Sequence, residues 1–510
     1  MESWNPHATF VSLKIFLALC ARQGTFPCQI DYIMAYVQAK MKGRVFAIIP
    51  DEWKELLPEE LHKWCGRPLR LLKALYGYTF SGRLLYDNQA EFLRNYGLRE
   101  TEVIALWKMK VQGGMLLVLQ YVDDFLAAGP TRALEDFKVA LAKRFDIETQ
   151  PRADWYLQAR IRSDSEGNIL LDQQRFSKSI VRRYLPNSPE FATPDDIGKY
   201  RSPLPAGFKF TKDDNSATAE DVRALEDEYG FRYIEVAGSL NYLANTATEE
   251  LFAIRKFCRH MNRPGRAHFK ALLHLLHHLR CHPTQALVFY KDWRQSPVYQ
   301  MLSSQGIQIS DGTLTWFTDA SHGDCDESRS TACYMGFFQG GLIDASSFVA
   351  QPIPHSTAES ETIALATGAM ACTYARRGIA SVLYDDPDRL WTVPMISDSQ
   401  AAIAMNSQDK PTRRSRHIER RWFYARQERL ASRLVFHHID ADHSLADLGT
   451  KNLTAEDAAY KLSIVERAVS DQAIGNANET SSCSTNIVRA SQSKKGDGPT
   501  SSSVTQDHPG

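Results

Sequence analysis

The sequence carries no excess of either charge. Lys and Arg together number 60, Asp and Glu also 60, so the formal net charge of the 510 residues is zero. That excludes a uniformly basic nucleic-acid coat but leaves room for local basic grooves. No CxxC pair occurs among the nine cysteines. This argues against zinc ribbons and thioredoxin-type motifs, and free thiols in a reducing compartment are the simpler expectation. Long apolar runs are lacking too. The stretch Phe10 to Ala21 is broken by Lys14 and is too short to span a bilayer. It has neither the basic flank nor the cleavage site of a signal peptide, and it reads as a core helix. There is no internal repeat. What is present is ordinary globular composition, 43% hydrophobic and 24% charged. Wholesale disorder, a collagen-like fibre and a disulfide-dense module are excluded. The length fits about three domains, long enough to bury sizeable cores.

Residues 115–129, MLLVLQYVDDFLAAG, carry one apolar run into Asp123-Asp124 and a second run out of it. The pattern predicts a β-hairpin with an acidic tip, followed by a helix over 131–145. Residues 27–36, PCQIDYIMAY, read as a strand turning into a helix, with Asp31 at the junction. Residues 187–230 read as a connector, and 231–282 return to helical periodicity. A new α/β pattern starts near Thr313: strands LTWFTDA, CYMGFF and SSFVA, a helix over 357–378, strand WTVPMISD, a helical stretch over 416–432 and strand LVFHHID. Past about residue 468 the chain is Ser-, Thr-, Asn-, Gln- and Gly-rich, and a disordered tail is expected.

Asp-Asp at a turn is by itself turn chemistry. An apolar strand running straight into Tyr-Val-Asp-Asp is a more specific context. Phosphoryl transfer to a hydroxyl needs two divalent metals clamping the attacking and leaving oxygens, hence carboxylates from separate strands converging on one point. Four further acids recur in an order that fits a second such site. Asp319 and Asp398 end strands, Glu361 lies in helix-opening text, and Asp447 lies near the end of the α/β region. Each alone reads as a cap or a surface charge. Carboxylates that converge repel one another and need cations to pack close.

The motif text resembles the pol region of copia-type LTR retrotransposons from about residue 5 to 455. Gln29-Ile30-Asp31, Lys73-Ala74-Leu75-Tyr76-Gly77, Tyr121-Val122-Asp123-Asp124 and Gly238-Ser239-Leu240-Asn241-Tyr242-Leu243-Ala244 follow the family's order. So do Thr318-Asp319-Ala320, Glu359-Ser360-Glu361, Asp398-Ser399-Gln400-Ala401-Ala402-Ile403 and Leu445-Ala446-Asp447. The resemblance implies an α+β and α/β multidomain chain. Its parts are a right-hand polymerase palm and thumb over 1–190 with incomplete fingers, a helical connection over 191–310, an RNase H-like α/β domain over 311–456 and a largely disordered tail over 457–510.

It further implies that Asp31, Asp123 and Asp124 hold metals for nucleotidyl transfer. Asp319, Glu361, Asp398 and Asp447 would hold metals for cleavage of the RNA strand of a hybrid. Glu359 is the alternative to Glu361. Mg²⁺, with Mn²⁺ as substitute, is the expected ion. Tyr36 and Arg83 are the nucleotide-binding residues, Tyr36 selecting deoxynucleotides through a clash with a 2′-hydroxyl. Implied partners are an RNA template, a DNA primer, the RNA–DNA hybrid and dNTPs, with self-association or the parent polyprotein's integrase, and no membrane. The implied setting is intracellular, a cytoplasmic virus-like particle or the nucleus.

Arg413, Arg414, Arg416, Arg420 and Arg421 open a basic stretch interleaved with Trp422, Phe423 and Tyr424, a pattern suited to tracking phosphates. A solvated helix face with intrahelical ion pairs is the alternative. His274, His277, His278, Cys281 and His282, near Cys258 and His260, are zinc-ligand types, and His274–His278 has i, i+4 spacing. A partly charged surface or nucleic-acid-facing helix is the favoured reading. The sequence departs from the family after Gly77 and at Tyr156-Leu157-Gln158, where the family's Gly is replaced by Gln158. The family's upstream phosphate-gripping strand is expected to be missing. Two alternatives to a full polymerase and RNase H therefore stand: a polymerase-dead remnant that keeps RNase H activity, and a non-catalytic nucleic-acid binder.

Overall fold

The computed structural model describes residues 6–189, 191–309, 314–324, 329–409 and 420–468. Helix α1, Phe10–Gln23, opens at Thr9, whose hydroxyl accepts from the Ser12 amide, and ends at Gly24 in the left-handed region. It is the expected core helix, buried from Ser12 to Ala21. Even Lys14 is buried, and burial lowers its ammonium pKa to about 8 despite Asp344 and Glu466 nearby.

The first sheet contains β1 (Cys28–Tyr32), β2 (Arg99–Glu100), β3 (Leu106–Val111), β4 (Gly114–Tyr121), β5 (Asp124–Ala128) and β6 (Ile147–Gln150) in the order β2-β3-β4-β5-β1-β6. Helices α2 (Ser81–Tyr96) and α3 (Thr131–Ala142) cover one face, burying Leu84, Leu93, Phe137 and Leu141 against Trp107 and Phe125. The predicted hairpin is β4–β5.

A second sheet, β7 (Trp155–Tyr156), β8 (Ala159–Ser163), β9 (Ile169–Asp172) and β10 (Ala286–Phe289), runs in the order β10-β9-β8-β7, and Glu466–Arg467 add to the β10 edge. The β7–β8 turn puts Leu157 at φ 48° and Gln158 at φ 57°, the left-handed region where glycine costs least. Between β9 and β10 lies a helical block: α4 (Gln174–Tyr184), α5 (Tyr233–Leu243), α6 (Leu251–Arg259) and α7 (Arg266–Cys281). They share a core of Tyr233, Leu240, Phe257, Phe269 and Leu275. The connector before them contains its own helices, Pro194–Lys199 and Ala219–Tyr229, each opened by a Thr–Asp capping box.

The third sheet holds β11 (Thr315–Ser321), β12 (Thr331–Phe338), β13 (Gly341–Val349), β14 (Val393–Ser397) and β15 (Leu434–His438) in the order β13-β12-β11-β14-β15. The first three are antiparallel; β11, β14 and β15 are parallel. Helix α8 (Thr357–Tyr384) carries the chain from the edge strand β13 across the sheet to β14, which pairs parallel to β11. It outruns the expected end at 378, because Gly378 is no stop. A Cβ there would sit 2.7 Å from a Val103 methyl, so the glycine lets α8 close on the first sheet's loop. Lys108 of β3 then donates to the Val382 carbonyl at 2.9 Å, and Lys110 pairs with Asp385 at 2.6 Å.

Two expectations are corrected here. Within 416–432 the described part is a 3-10 turn, Arg420–Phe423, followed by α10 (Tyr424–Leu430), and it ends before 432; α9 (Gln400–Ser407) precedes it, and residues 410–419 lie outside the described residues. Residues 457–467, counted with the tail, belong to helix α11 (Ala455–Val465) and strand β16 (Glu466–Arg467). The Thr454 hydroxyl caps α11, and Leu462 and Val465 pack into a shared core with Leu302 and Phe317. The expected disorder past 468 lies outside the described residues. Residues 1–468 form one unit, and one core runs through it: Phe16 of α1, Leu119 of β4, Leu171 of β9, Trp316 of β11 and Leu365 of α8. Among the described residues the cysteines are free thiols, and no helix is long and apolar enough to cross a membrane.

Candidate active sites

The hairpin β4–β5 turns through Val122 and Asp123, with Tyr121 paired to Asp124. Val122 adopts φ 34°, a conformation that costs a β-branched residue and is met where a turn must be tight. The Asp123 carbonyl accepts from the Tyr32 amide at 2.8 Å, locking the tip onto β1. Asp31 stands opposite Asp124 on one side and Glu148 on the other, so three carboxylates cross three strands in one row.

Asp31 is exposed, and its carboxyl is raised above the usual range by partial burial, then by Asp123 and Glu148. Burial, aided by Asp31 and Asp123, pushes Asp124 up to about 7, against the pull of a Gln29 amide 3.2 Å from its Oδ2. Its Oδ1 is buried with no hydrogen-bond partner. Tyr36 packs edge-on against Tyr76 at 4.7 Å, and Asp123 raises the phenols of both after burial. Arg83 is bound to Asp87 at 2.9 Å and lies over Tyr86. Glu148 escaped sequence reasoning because only strand pairing places it beside Asp31.

The second group is more tightly drawn. Asp319 lies on β11 and Asp398 directly follows β14; the register that pairs Phe317 with Ile396 sets the two acids level. Glu361 comes from the second turn of α8, whose N-cap is Ser356. Gly368 permits this approach, since a Cβ there would stand 2.7 Å from the Thr318 methyl. Ligand atoms of Asp319, Glu361 and Asp398 all fall within 4.8 Å of one another. Burial, then Asp319 and Asp398, raises the Glu361 carboxyl; burial and Asp447 raise Asp319; burial raises Asp398. Glu361 Oε2 is buried without a hydrogen-bond partner. A trio of carboxylate oxygens with an orphaned lone pair among them fits a hard divalent cation.

Glu359 is turned elsewhere, accepting from the His355 amide at 2.7 Å. Asp447 lies beside the trio but is held by Lys451 at 2.6 Å and Lys461 at 3.2 Å. Lys451 also reaches Asp319 at 3.5 Å, and the Thr450 hydroxyl donates to Asp319. Burial lowers the Lys451 ammonium, but Asp319 and Asp447 outweigh it and raise it.

Arg413, Arg414 and Arg416 lie outside the described residues, and only the backbone of Arg420 and Arg421 is described. The rest of that basic stretch is structural. Arg426 is buried, donates to the Met405 carbonyl and stacks on Phe423; Arg429 binds Asp409 at 2.7 Å; Arg433 binds Glu428 at 3.0 Å. The His274–His278 pair does not chelate as a pair. His274 Nε2 bonds the Ser202 carbonyl at 3.0 Å, and His278 Nδ1 bonds the Tyr200 carbonyl at 2.8 Å.

Residues 1–194 match the family described as "Reverse transcriptase (RNA-dependent DNA polymerase)". The chain is similar to the retrovirus-related Pol polyprotein from transposon TNT 1-94 of Nicotiana tabacum. The two are 23% identical over 457 residues, 88% of this chain and 31% of that protein. The chain thus spans less than a third of that relative's length. A foamy viral protease–reverse transcriptase in complex with double-stranded DNA aligns with 84% of this chain and 60% of its own, at 11% identity and TM-score 0.19. LC11-RNase H1, isolated from compost, aligns with 29% of this chain and 99% of its own, at 16% identity and TM-score 0.21. The family match is thus confined to residues 1–194, and across 88% of its length the chain is similar to a retrotransposon Pol polyprotein, the resemblance its motifs imply.

Proposed function

We propose that this chain is an RNA-directed DNA polymerase joined to an RNase H, acting on an RNA template, a DNA primer, dNTPs and the resulting hybrid. One observation carries the reading: a single chain with a reverse transcriptase-type start presents acid groups on two separate sheets, each with a buried, unpartnered carboxylate oxygen, Asp124 Oδ1 and Glu361 Oε2.

At the first site Asp31, Asp123 and Asp124 would hold divalent cations, and at the second Asp319, Glu361 and Asp398, with Asp447 beside them. Mg²⁺ bound there would neutralise phosphate charge and activate the attacking oxygen. The chain's own part is positioning. Strand register aligns Asp31 with Asp124, and the Val122 turn presents Asp123. The Tyr36–Tyr76 pair walls the space beside the acids and supports selection of the sugar. At the second site Thr450 orients Asp319, and Lys451 supplies a positive charge between Asp319 and Asp447.

The narrower reading, RNase H activity without polymerisation, draws on a specific contrast. Asp319, Glu361 and Asp398 converge within 4.8 Å, whereas Asp31, Asp123 and Asp124 are not among the described groups that do so. Both readings are tested on one gel, with full-length protein, Mg²⁺, dNTPs and an end-labelled hybrid bearing a recessed primer. Primer extension abolished by Asp123→Asn, with RNA cleavage abolished by Asp319→Asn, supports the bifunctional enzyme. Cleavage alone supports the narrower reading. Hybrid binding with neither activity, in Mg²⁺ or Mn²⁺, overturns both.

A further inference from the structure

A second set of metal-ligating side chains lies away from both acid sites, where the helical block meets the C-terminal strand. Glu249 and Glu250 precede α6, and His278 comes from the last turn of α7. The ligand atoms of the three fall within 4.8 Å of one another. His278 is fully buried and Glu250 nearly so, while Glu249 is half-buried. We propose that Glu249, Glu250 and His278 form a binding site for a zinc-class divalent ion that ties the start of α6 to the last turn of α7.

The imidazole decides the matter. His278 Nδ1 lies 2.8 Å from the Tyr200 carbonyl, which can only accept, so Nδ1 carries the proton. The remaining nitrogen, Nε2, is buried and has no hydrogen-bond partner. It faces Glu249 Oε1 at 3.5 Å and Glu250 Oε1 at 3.8 Å. These separations are too long for a hydrogen bond. They match two donors on one tetrahedral zinc, about 3.4 Å apart when each bond is about 2.0–2.1 Å.

A buried ring nitrogen without a hydrogen-bond partner, held at these separations from two carboxylates, is costly unless a cation lies between them. The backbone carbonyl behind Nδ1 is the outer-shell partner that metal-bound histidines use. A nitrogen donor with two carboxylates favours Zn²⁺ over Mg²⁺, which prefers oxygen ligands. Entry is open: a cavity of about 570 Å³ is lined by Glu249, Cys281 and His282. The site also touches the C-terminal strand, because Thr248 donates its amide to Glu466 at 3.1 Å. The histidines stand out in the sequence, but Glu249 and Glu250 do not, because the fold brings them from another element.

The test uses the full-length protein, stripped with chelator, reloaded with Zn²⁺ and dialysed against excess Mg²⁺ to fill oxygen-only sites. Bound zinc is then measured by mass spectrometry. The proposal expects about one zinc per chain to remain, and a loss of about 10-fold or more in affinity in Glu249→Gln and in His278→Gln. Asp123→Asn and Asp319→Asn should keep their zinc. Should His278→Gln not fold, Glu249→Gln, at a half-buried position, carries the test alone. Co²⁺ in place of zinc should give the intense visible bands of a low-coordinate site, absent in Glu249→Gln. Zinc washed out by Mg²⁺, retained in Glu249→Gln or lost in Asp319→Asn would overturn the proposal.

Discussion

Asp31 stands in register opposite Asp124 across β1 and β5, and the hairpin tip delivers Asp123 beside them. Asp31 is the exposed member of the row and Asp124 the half-buried one. Asp31→Asn is therefore expected to fold as the parent does and to slow primer extension by about 10²- to 10³-fold, the usual loss when one charge-stabilising group is removed. RNA cleavage should be unchanged. Steady-state extension and cleavage assays on the same preparation check this, and a matching loss of cleavage would contradict the separation of the two sites.

Burial raises the carboxyls of Asp124, Asp319 and Glu361, Asp124 to about 7. A carboxyl raised in the folded state contributes stability while protonated and loses it as pH climbs from the ordinary carboxylate range through the raised value. The metal-free protein should accordingly melt at lower temperature at about pH 8 than at about pH 5, by several degrees, since about 1 kcal/mol moves Tm by about 2–4 °C in a sizeable domain. Saturating Mg²⁺ should flatten the dependence, because it binds the deprotonated forms. Scanning fluorimetry across pH, with and without Mg²⁺, is the measurement. A flat profile without metal would contradict it.

Gly368 should tolerate no larger residue. In Gly368→Val the added carbons meet the Thr318 methyl at 2.7 Å and Trp316 at 3.3 Å. Overpacking of this kind costs about 1–3 kcal/mol, and here it pushes α8 and Glu361 away from Asp319. The expected outcome is a lowered Tm with RNA cleavage reduced more than primer extension. Equal losses of both activities would point to general unfolding instead.

Tyr36→Ala is expected to let ribonucleotides in. The ring beside Tyr76 acts by bulk, so Tyr36→Phe should behave as the parent. A pocket wall of this size discriminates by about 10- to 200-fold, and the ratio of kcat/KM for dNTP over rNTP should fall by that order in the alanine variant. An unchanged ratio would return Tyr36 to plain packing.

Replacing Arg413, Arg414 and Arg416 together by alanine should weaken hybrid binding and flatten its salt dependence. The slope of log K against log salt should fall by about one for each phosphate that is no longer neutralised. Titrations at several salt concentrations read this directly. An unchanged slope would mean that these arginines, like Arg426 and Arg429, serve the fold.

Much of the placement of the acids was legible in the sequence because it is local. Apolar runs on either side of Tyr121-Val122-Asp123-Asp124 specify a hairpin and its tip, and strand-ending Asp319 and Asp398 announce themselves through β-rich text. Helix ends were less legible. Gly378 reads as a stop but is a point of close approach, and the apolar face of Leu462 and Val465 was hidden next to a polar tail.

What pattern alone could not supply is distance between elements remote in sequence. It could not place Glu148 beside Asp31, turn Glu359 toward the His355 amide while Glu361 faces Asp319, hold Asp447 on two lysines, or set Glu249 and Glu250 against His278. The sequence by itself determines periodicity and propensity, which act within a few residues. Register, helix approach and the desolvation that raises these carboxyls arise only when separate elements pack.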